Sequence, residues 1–442
     1  MGRRETGRVR GREGDRRRAD PGGAGLSLAD AALTTPEHER AAARIARTLF
    51  VAQSLGSAGF LVASTVSPIV GTQLGGTPVW AGAPTATYQG GAAALAFVWG
   101  LLMDRLGRRP TLAMGLAVGI LGALVASRSV AAGRLAGFLL GVGLMGMANS
   151  ALQLGRYVAA EVHAPGRRAR ALALVVMGGT VGAVVGPLLV GPAAGAARRA
   201  GIAELAGPYA ASSLLFALAM AALLAGLWPE PRDLARALAA GHDHGTGSGP
   251  LPARAITEIL AQPGARLAVV SLVFAQAVMV MLMVITSVHM KGHEHGLPGI
   301  SFVISSHVVG MYVFSVVSGR LADSFGRPAV ILAGCGLLIV SCLAATLSPQ
   351  VLPLAGSLFL LGLGWNLCYV AGSALLSDEL RQSERARIQG FSDVLVGLAS
   401  AGGALGSGVV FAAVGYEAMG LIAAGATLLP LVLSLRAHHA LQ

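Results

Sequence analysis

"GLLMDRLGRRP" occupies residues 100–110 and "GRLADSFGRPA" residues 319–329. Gly100, Asp104 and Arg108 stand at four-residue steps, and Gly319, Asp323 and Arg327 repeat that spacing. A second glycine, Gly107 or Gly326, directly precedes the arginine in each copy. The offset from Asp104 to Asp323 is 323 − 104 = 219. A second pair, "GRRARAL" (166–172) and "SERARIQ" (383–389), sets Arg387 against Arg170 at an offset of 387 − 170 = 217. Two motifs sharing nearly one offset are the mark of an internal duplication.

The sequence around these motifs is apolar. Runs fall at about 45–70, 81–103, 110–127, 134–157, 169–191, 207–228, 266–289, 299–321, 328–347, 352–375, 391–414 and 416–435. A bilayer core of roughly 30 Å needs about 20 apolar residues per helix. The composition agrees: 54% hydrophobic, 12% charged, mean hydropathy +0.67 and 62 glycines. A soluble domain carries about 25% charged residues, and small residues let membrane helices approach closely. An open sheet cannot span lipid, and the runs are too continuous for a barrel. The expected fold is therefore an all-α integral membrane protein with about twelve transmembrane helices in two pseudo-symmetric six-helix halves. The expected divisions are a basic, disordered tail at 1–43, a first half at 44–228, a linker at 229–265, a second half at 266–436 and a short tail at 437–442.

The formal charge of +12 raises nucleic acid as a partner, and its distribution argues against it. Eight arginines lie between Arg3 and Arg18, and most others sit between alternate apolar runs, including Arg105, Arg108, Arg109, Arg167, Arg168, Arg170, Arg381, Arg385 and Arg387. That alternation is the positive-inside pattern and predicts both termini in the cytoplasm of a multi-pass protein of the cell (inner) membrane. Arg198 and Arg199 run against the trend. The expected partners are the lipid bilayer and a small ion or molecule, with no nucleic acid, and the expected state is a monomer. The three cysteines lie in apolar runs and read as reduced packing residues. No nucleophile–base set, phosphate loop or ATP motif is present, and no signalling domain, which argues against an enzyme or a sensor.

The glycine, aspartate and arginine spacing of 100–109, repeated at 319–327, resembles the loop signature of the major facilitator superfamily. The resemblance covers about 45–436. It implies secondary transport by alternating access, with Asp104, Arg105 and Arg108 gating one half and Asp323 and Arg327 the other. In the fifth run, "GTVGAVVGPLLVGP" (179–192), Gly182, Gly186 and Pro187 resemble the family's antiporter motif, with Val190 as a departure. The family's arginine four residues before a glycine in the fourth run is replaced by Gly137 ahead of Gly141, against family-style proton coupling.

Between 279 and 311 the chain gathers soft ligands. Met279 and Met283 are at i, i+4 in the seventh run, and His307 and Met311 at i, i+4 in the eighth. At 1.5 Å per residue, Met283 and His307 lie roughly 9 and 12 Å from the joining loop, at matching depths on antiparallel helices. Three thioethers and an imidazole suit Cu(I) and suit Mg²⁺ or Ca²⁺ poorly. These two motifs resemble the metal positions of the CcoA-like copper importers, a branch with relatives linked to riboflavin uptake. No permanently bound cofactor is expected; copper is a candidate substrate. His289, Met290, His293 and His295 would collect the ion outside. The rival readings are packing methionines, a proton-coupled exporter of drugs or metabolites, and riboflavin uptake. Gln53, Tyr88, Gln89, Asn149, Gln153, Gln276, Asn366 and Tyr369 are polar candidates for a cavity between the halves.

Overall fold

The computed structural model describes residues 36–164, 167–240, 254–381 and 384–440. The arginine cluster at 3–18, His242 and His244 lie outside the described residues, as do the side chains of Arg385, Arg387, His438 and His439. Among the described residues every regular element is helical.

The first half contains α1 (Pro36–Gly75), α2 (Ala83–Leu106), α3 (Arg108–Ala131), α4 (Leu135–Gln153), α5 (Gly155–Glu161), α6 (Arg168–Leu188), α7 (Val190–Arg199) and α8 (Gly207–Gly226). A 3-10 turn, Pro78–Gly82, joins α1 to α2. The linker carries α9 (Pro231–Ala240) and α10 (Ile256–Ala261). The second half contains α11 (Pro263–Gly292), α12 (Leu297–Tyr312), α13 (Ser315–Phe325), α14 (Arg327–Ala345), α15 (Val351–Asp378), α16 (Arg385–Ala426) and α17 (Leu428–Ala440). Eleven stretches are long and apolar enough to cross a bilayer, and the last, Ile388–Ala437, has 50 residues. That is about 75 Å of helix, enough for two crossings. Gly415 interrupts it with φ 79° and divides it in two, in keeping with about twelve crossings among the described residues.

One boundary differs from expectation. Residues 36–43, assigned to the tail, begin α1 with Ala41 and Ala42 buried. Glu37 and Glu39 in its first turn suit the positive end of the helix dipole. The linker is partly helical because Leu234 and Ile259 have apolar cores to pack against.

The duplication extends to the packing. In the first half α2 crosses α4 with the Tyr88 carbonyl against Gly146, where a Cβ would collide with it. In the second half α12 crosses α15 with the His307 carbonyl against Gly362 in the same way. The histidine follows the tyrosine at an offset of 307 − 88 = 219, and the glycines are offset by 362 − 146 = 216. Gly178, Gly182 and Gly186 form one face of α6 laid on α1: a Cβ at Gly178 would lie 2.5 Å from the Phe50 carbonyl, and one at Gly186 2.6 Å from Leu61 Cβ. The α6 glycines thus bring two backbones together, the use small residues have in membranes.

The two halves meet most closely at the end away from the arginine loops. There the 3-10 turn abuts α16, and a Cβ at Gly408 would lie 2.6 Å from the Pro78 carbonyl. Gly191 of α7 also comes close to Pro298 at the start of α12.

Candidate functional site: gates and a cavity between the halves

The repeated loops fold into two matching locks. Arg108 reaches Asp104 (3.3 Å), Glu161 (3.1 Å) and the Met103 carbonyl (2.9 Å). Arg327 reaches Asp323 (2.8 Å), Asp378 (3.2 Å) and the Ala322 carbonyl (2.7 Å). Gly107 and Gly326 turn the chain before each arginine with φ 102° and 86°, a region that glycine enters without strain. Glu161 and Asp378 close α5 and α15 and were not singled out in the sequence. Their offset, 378 − 161 = 217, matches that of the second repeated motif, which is the signal that marks them. Arg105 is exposed, and its carbonyl accepts from Arg232. Glu230 accepts from the Arg108 and Arg109 amides at the start of α3, a cap with no counterpart among the described residues of the second half.

A second pair of loop contacts is charge-inverted. In the first half Glu39 pairs with Arg167 (3.0 Å). At the second, Arg254 of the linker donates to Glu384 through its amide, Nε and Nη2 at 2.9, 2.9 and 2.7 Å, and the Arg381 amide adds a fourth bond. The hydrogen bonds from Arg254 hold the Glu384 carboxyl down at about 2.

Between the halves, toward the arginine loops, lies a cavity of about 420 Å³. The first half contributes Arg156, Tyr157 and Leu172; the second contributes Leu272, Tyr369, Ser373, Leu376, Gln389, Ser392, Asp393 and Val396. Its volume falls within the range of about 300–1,000 Å³ typical of small-molecule sites. Arg156 stacks over the Tyr157 ring (4.9 Å to the centroid) and donates from Nη2 to the Tyr157 hydroxyl (3.2 Å). Its Nε is buried without a partner, as is the Ser392 hydroxyl. Tyr369 stacks on Trp365 (4.7 Å, 17°), and Trp365 donates to Gln276 (2.9 Å). Arg156 sits in the fourth run and was not among the residues read as cavity-lining; a lone arginine near the end of an apolar run looks like topology charge until the opposite half is placed beside it.

The other polar candidates divide. Asn366 is buried and bonds to the Met311 carbonyl (2.6 Å), Ser315 Oγ (2.8 Å) and Ser318 Oγ (2.5 Å). These groups flank the break between α12 and α13, so Asn366 holds a discontinuous helix in place. Asn149, its equivalent at the same offset (366 − 149 = 217), is half-buried beside the unbroken α2. Gln53 is buried near Ser57 (3.4 Å), Gln89 is half-buried and Gln153 is exposed. Tyr88 stacks on Phe60 (4.1 Å) with its hydroxyl buried and unpartnered.

The Met/His residues sit on two helices that share α15 as a neighbour. α11 packs chiefly on α15 and α16, α12 on α15 and α6, and the two touch each other little beyond their joining turn. Met279 and Met311 are buried and Met283 half-buried. His307 is fully buried; its Nδ1 lies 3.0 Å from the Leu358 carbonyl, which makes that nitrogen the donor and leaves Nε2 with a free lone pair and no partner. Of the outer group, Met290 is buried, His289 stacks on Tyr416 (4.0 Å) and lies tilted against His293 (4.4 Å, 57°), and His295 bonds to the Pro349 carbonyl (2.9 Å).

The sequence profile of the Major Facilitator Superfamily matches residues 49–298 and again 279–440. The chain belongs to the major facilitator superfamily. It is a multi-pass membrane transporter of a family that works generally by secondary active transport. It is 34% identical to the uncharacterized MFS-type transporter YdeG of Bacillus subtilis over 88% of this chain and 91% of that one. It is 29% identical to the riboflavin transporter RfnT of Brucella anthropi over 79% and 84% of the two chains. In three dimensions it resembles a bacterial homologue of the human lysosomal transporter Spinster, solved in an inward-facing, occupied conformation, with TM-score 0.66 and 15% identity over 91% of this chain and 94% of that one.

Proposed function

We propose that this transporter takes up a planar heterocyclic molecule of the riboflavin class, with the arginine-bearing ends of its helices in the cytoplasm. The cavity carries this reading. It joins both halves, has the volume of a small-molecule site, and sets the stacked Tyr369 ring beside unpartnered polar groups. Aromatic faces bind flat rings, and a few placed polar groups fix their orientation. The similarity to a riboflavin transporter over most of both chains supports the same class. The halves meet at the far end and leave the cavity on the arginine side, an arrangement in keeping with alternating access. The locks at Arg108 and Arg327 each lie within one half, so each ties its loop to its own helices and lets that half rock as a unit.

Copper uptake is the second reading, carried by the free lone pair of His307 Nε2. A buried neutral imidazole with one nitrogen fixed by a carbonyl is the form that ligates a soft ion. Met311, one turn on, is the nearest thioether along that helix; Met279 and Met283 stand on α11, which packs on α15 as α12 does.

One experiment separates the readings. A host lacking riboflavin synthesis and its own copper importer expresses the intact protein, His307→Ala, or Met279→Leu with Met283→Leu, at matched membrane levels. Riboflavin-dependent growth that survives the methionine changes supports the first reading. Copper accumulation lost in both variants supports the second. Resistance to aromatic drugs, with neither riboflavin-dependent growth nor copper accumulation, would instead favour an exporter.

A further inference from the structure

We infer that Arg156 and Asp393 together read the edge of the substrate ring, and that this edge alternates acceptor, donor and acceptor, as the cyclic imide of a flavin does. This inference rests on the proposed function. Arg156 comes from the first half and Asp393 from the second, and both line the one cavity. They are of opposite charge yet form no direct ion pair. Arg156 keeps its Nε buried and unbonded, and Ser392, beside Asp393, keeps its hydroxyl buried and unbonded.

Those groups dictate what satisfies them. Arg156 has donors only, so it needs an acceptor such as a ring carbonyl. Asp393 is exposed and, when ionised, accepts only, so the ring group it can take is an N–H. Ser392 does either. A buried donor left unmatched costs free energy, so a ligand supplying the match is selected over one that lacks it. A cyclic imide presents an N–H between two carbonyls, which offers one contact to each half at once. Tyr369 supplies the stacking face. Because the two contacts belong to different halves, binding draws the halves together over the substrate, so recognition and closure become one event. A lone carboxylate or phosphate ligand would satisfy Arg156 and repel Asp393.

The test uses purified full-length protein in liposomes, with uptake of riboflavin compared with riboflavin methylated at the imide nitrogen. Methylation removes the N–H and leaves both carbonyls. Wild-type protein is expected to prefer riboflavin by about tenfold or more, since a site built to hydrogen-bond a group rejects the analogue without it. Asp393→Ala is expected to bring that preference close to one, and Asp393→Asn, which keeps an acceptor, to retain part of it. Arg156→Gln is expected to raise KM for both compounds without changing the preference. Equal uptake of the two compounds by the wild type overturns the inference and leaves the proposed function standing. Absence of uptake of either compound overturns both.

Discussion

Replacing Asn366 with leucine tests whether this residue is structural or binds substrate. Its amide bonds to the Met311 carbonyl and Ser315 Oγ, and its carbonyl accepts from Ser318 Oγ. All three partners flank the gap at 313–314, where α12 stops and α13 begins. Leucine keeps the volume and removes all three bonds. Hydrogen bonds within membrane proteins average about 0.6 kcal/mol, so the loss comes to about 2 kcal/mol. The internal control is Asn149→Leu. Asn149 occupies the equivalent place in the first half, beside an unbroken α2, and is expected to lose under about 0.5 kcal/mol. Thermal unfolding of both variants in detergent, with uptake kinetics on the same preparations, measures the contrast. The structural role predicts a clearly lower midpoint for Asn366→Leu, with KM of the surviving protein unchanged. Equal destabilisation of the two variants, or an altered KM at unaltered stability, would refute the reasoning.

Three further outcomes are expected. Glu161→Gln and Asp378→Asn each break one partly exposed Arg–carboxylate pair, worth about 0.2–1 kcal/mol, so each should shift the conformational equilibrium by no more than about fivefold; cysteine accessibility at the mouth of the cavity reads the shift, and a complete block of transport would contradict it. Gly182→Val drives a side chain into the Ser54 carbonyl and should abolish folded protein, whereas Gly195→Ala, with open space around it, should be neutral by expression and size-exclusion profile. Glu384 is held at about 2, below the unfolded value of about 4.3. Its contribution is thus complete above the unfolded value and disappears as pH falls toward 2. The midpoint difference between wild type and Glu384→Gln should therefore be constant above about pH 5 and shrink below it; a difference growing toward acid pH would contradict the assignment.

The locks were legible in sequence because a turn is local. Gly107 and Arg108, or Gly326 and Arg327, specify a tight connection within a few residues, and the repeat marked them twice. Glu161 and Asp378 escaped notice because they join each lock from a different helix. The crossings were legible because bilayer thickness fixes helix length; the start of α1 was not, because Pro36–Ala43 is polar by composition and held by packing. Asn366 and Tyr369 carry the same signal in sequence, a polar group in an apolar run. One ties off a broken helix and the other lines the cavity, a difference set by the neighbours each helix acquires.

Sequence alone determined that this chain crosses a membrane about twelve times as a duplicated bundle, since apolar length and repeat spacing are properties of the chain itself. Only the tertiary structure decided that Arg156 and Asp393, far apart along the chain and from opposite halves, share one cavity. It also decided that His307 is left with a free nitrogen, because the Leu358 carbonyl of α15 takes the other one. A site between two halves is defined by how their surfaces meet, and no local pattern of residues encodes that meeting.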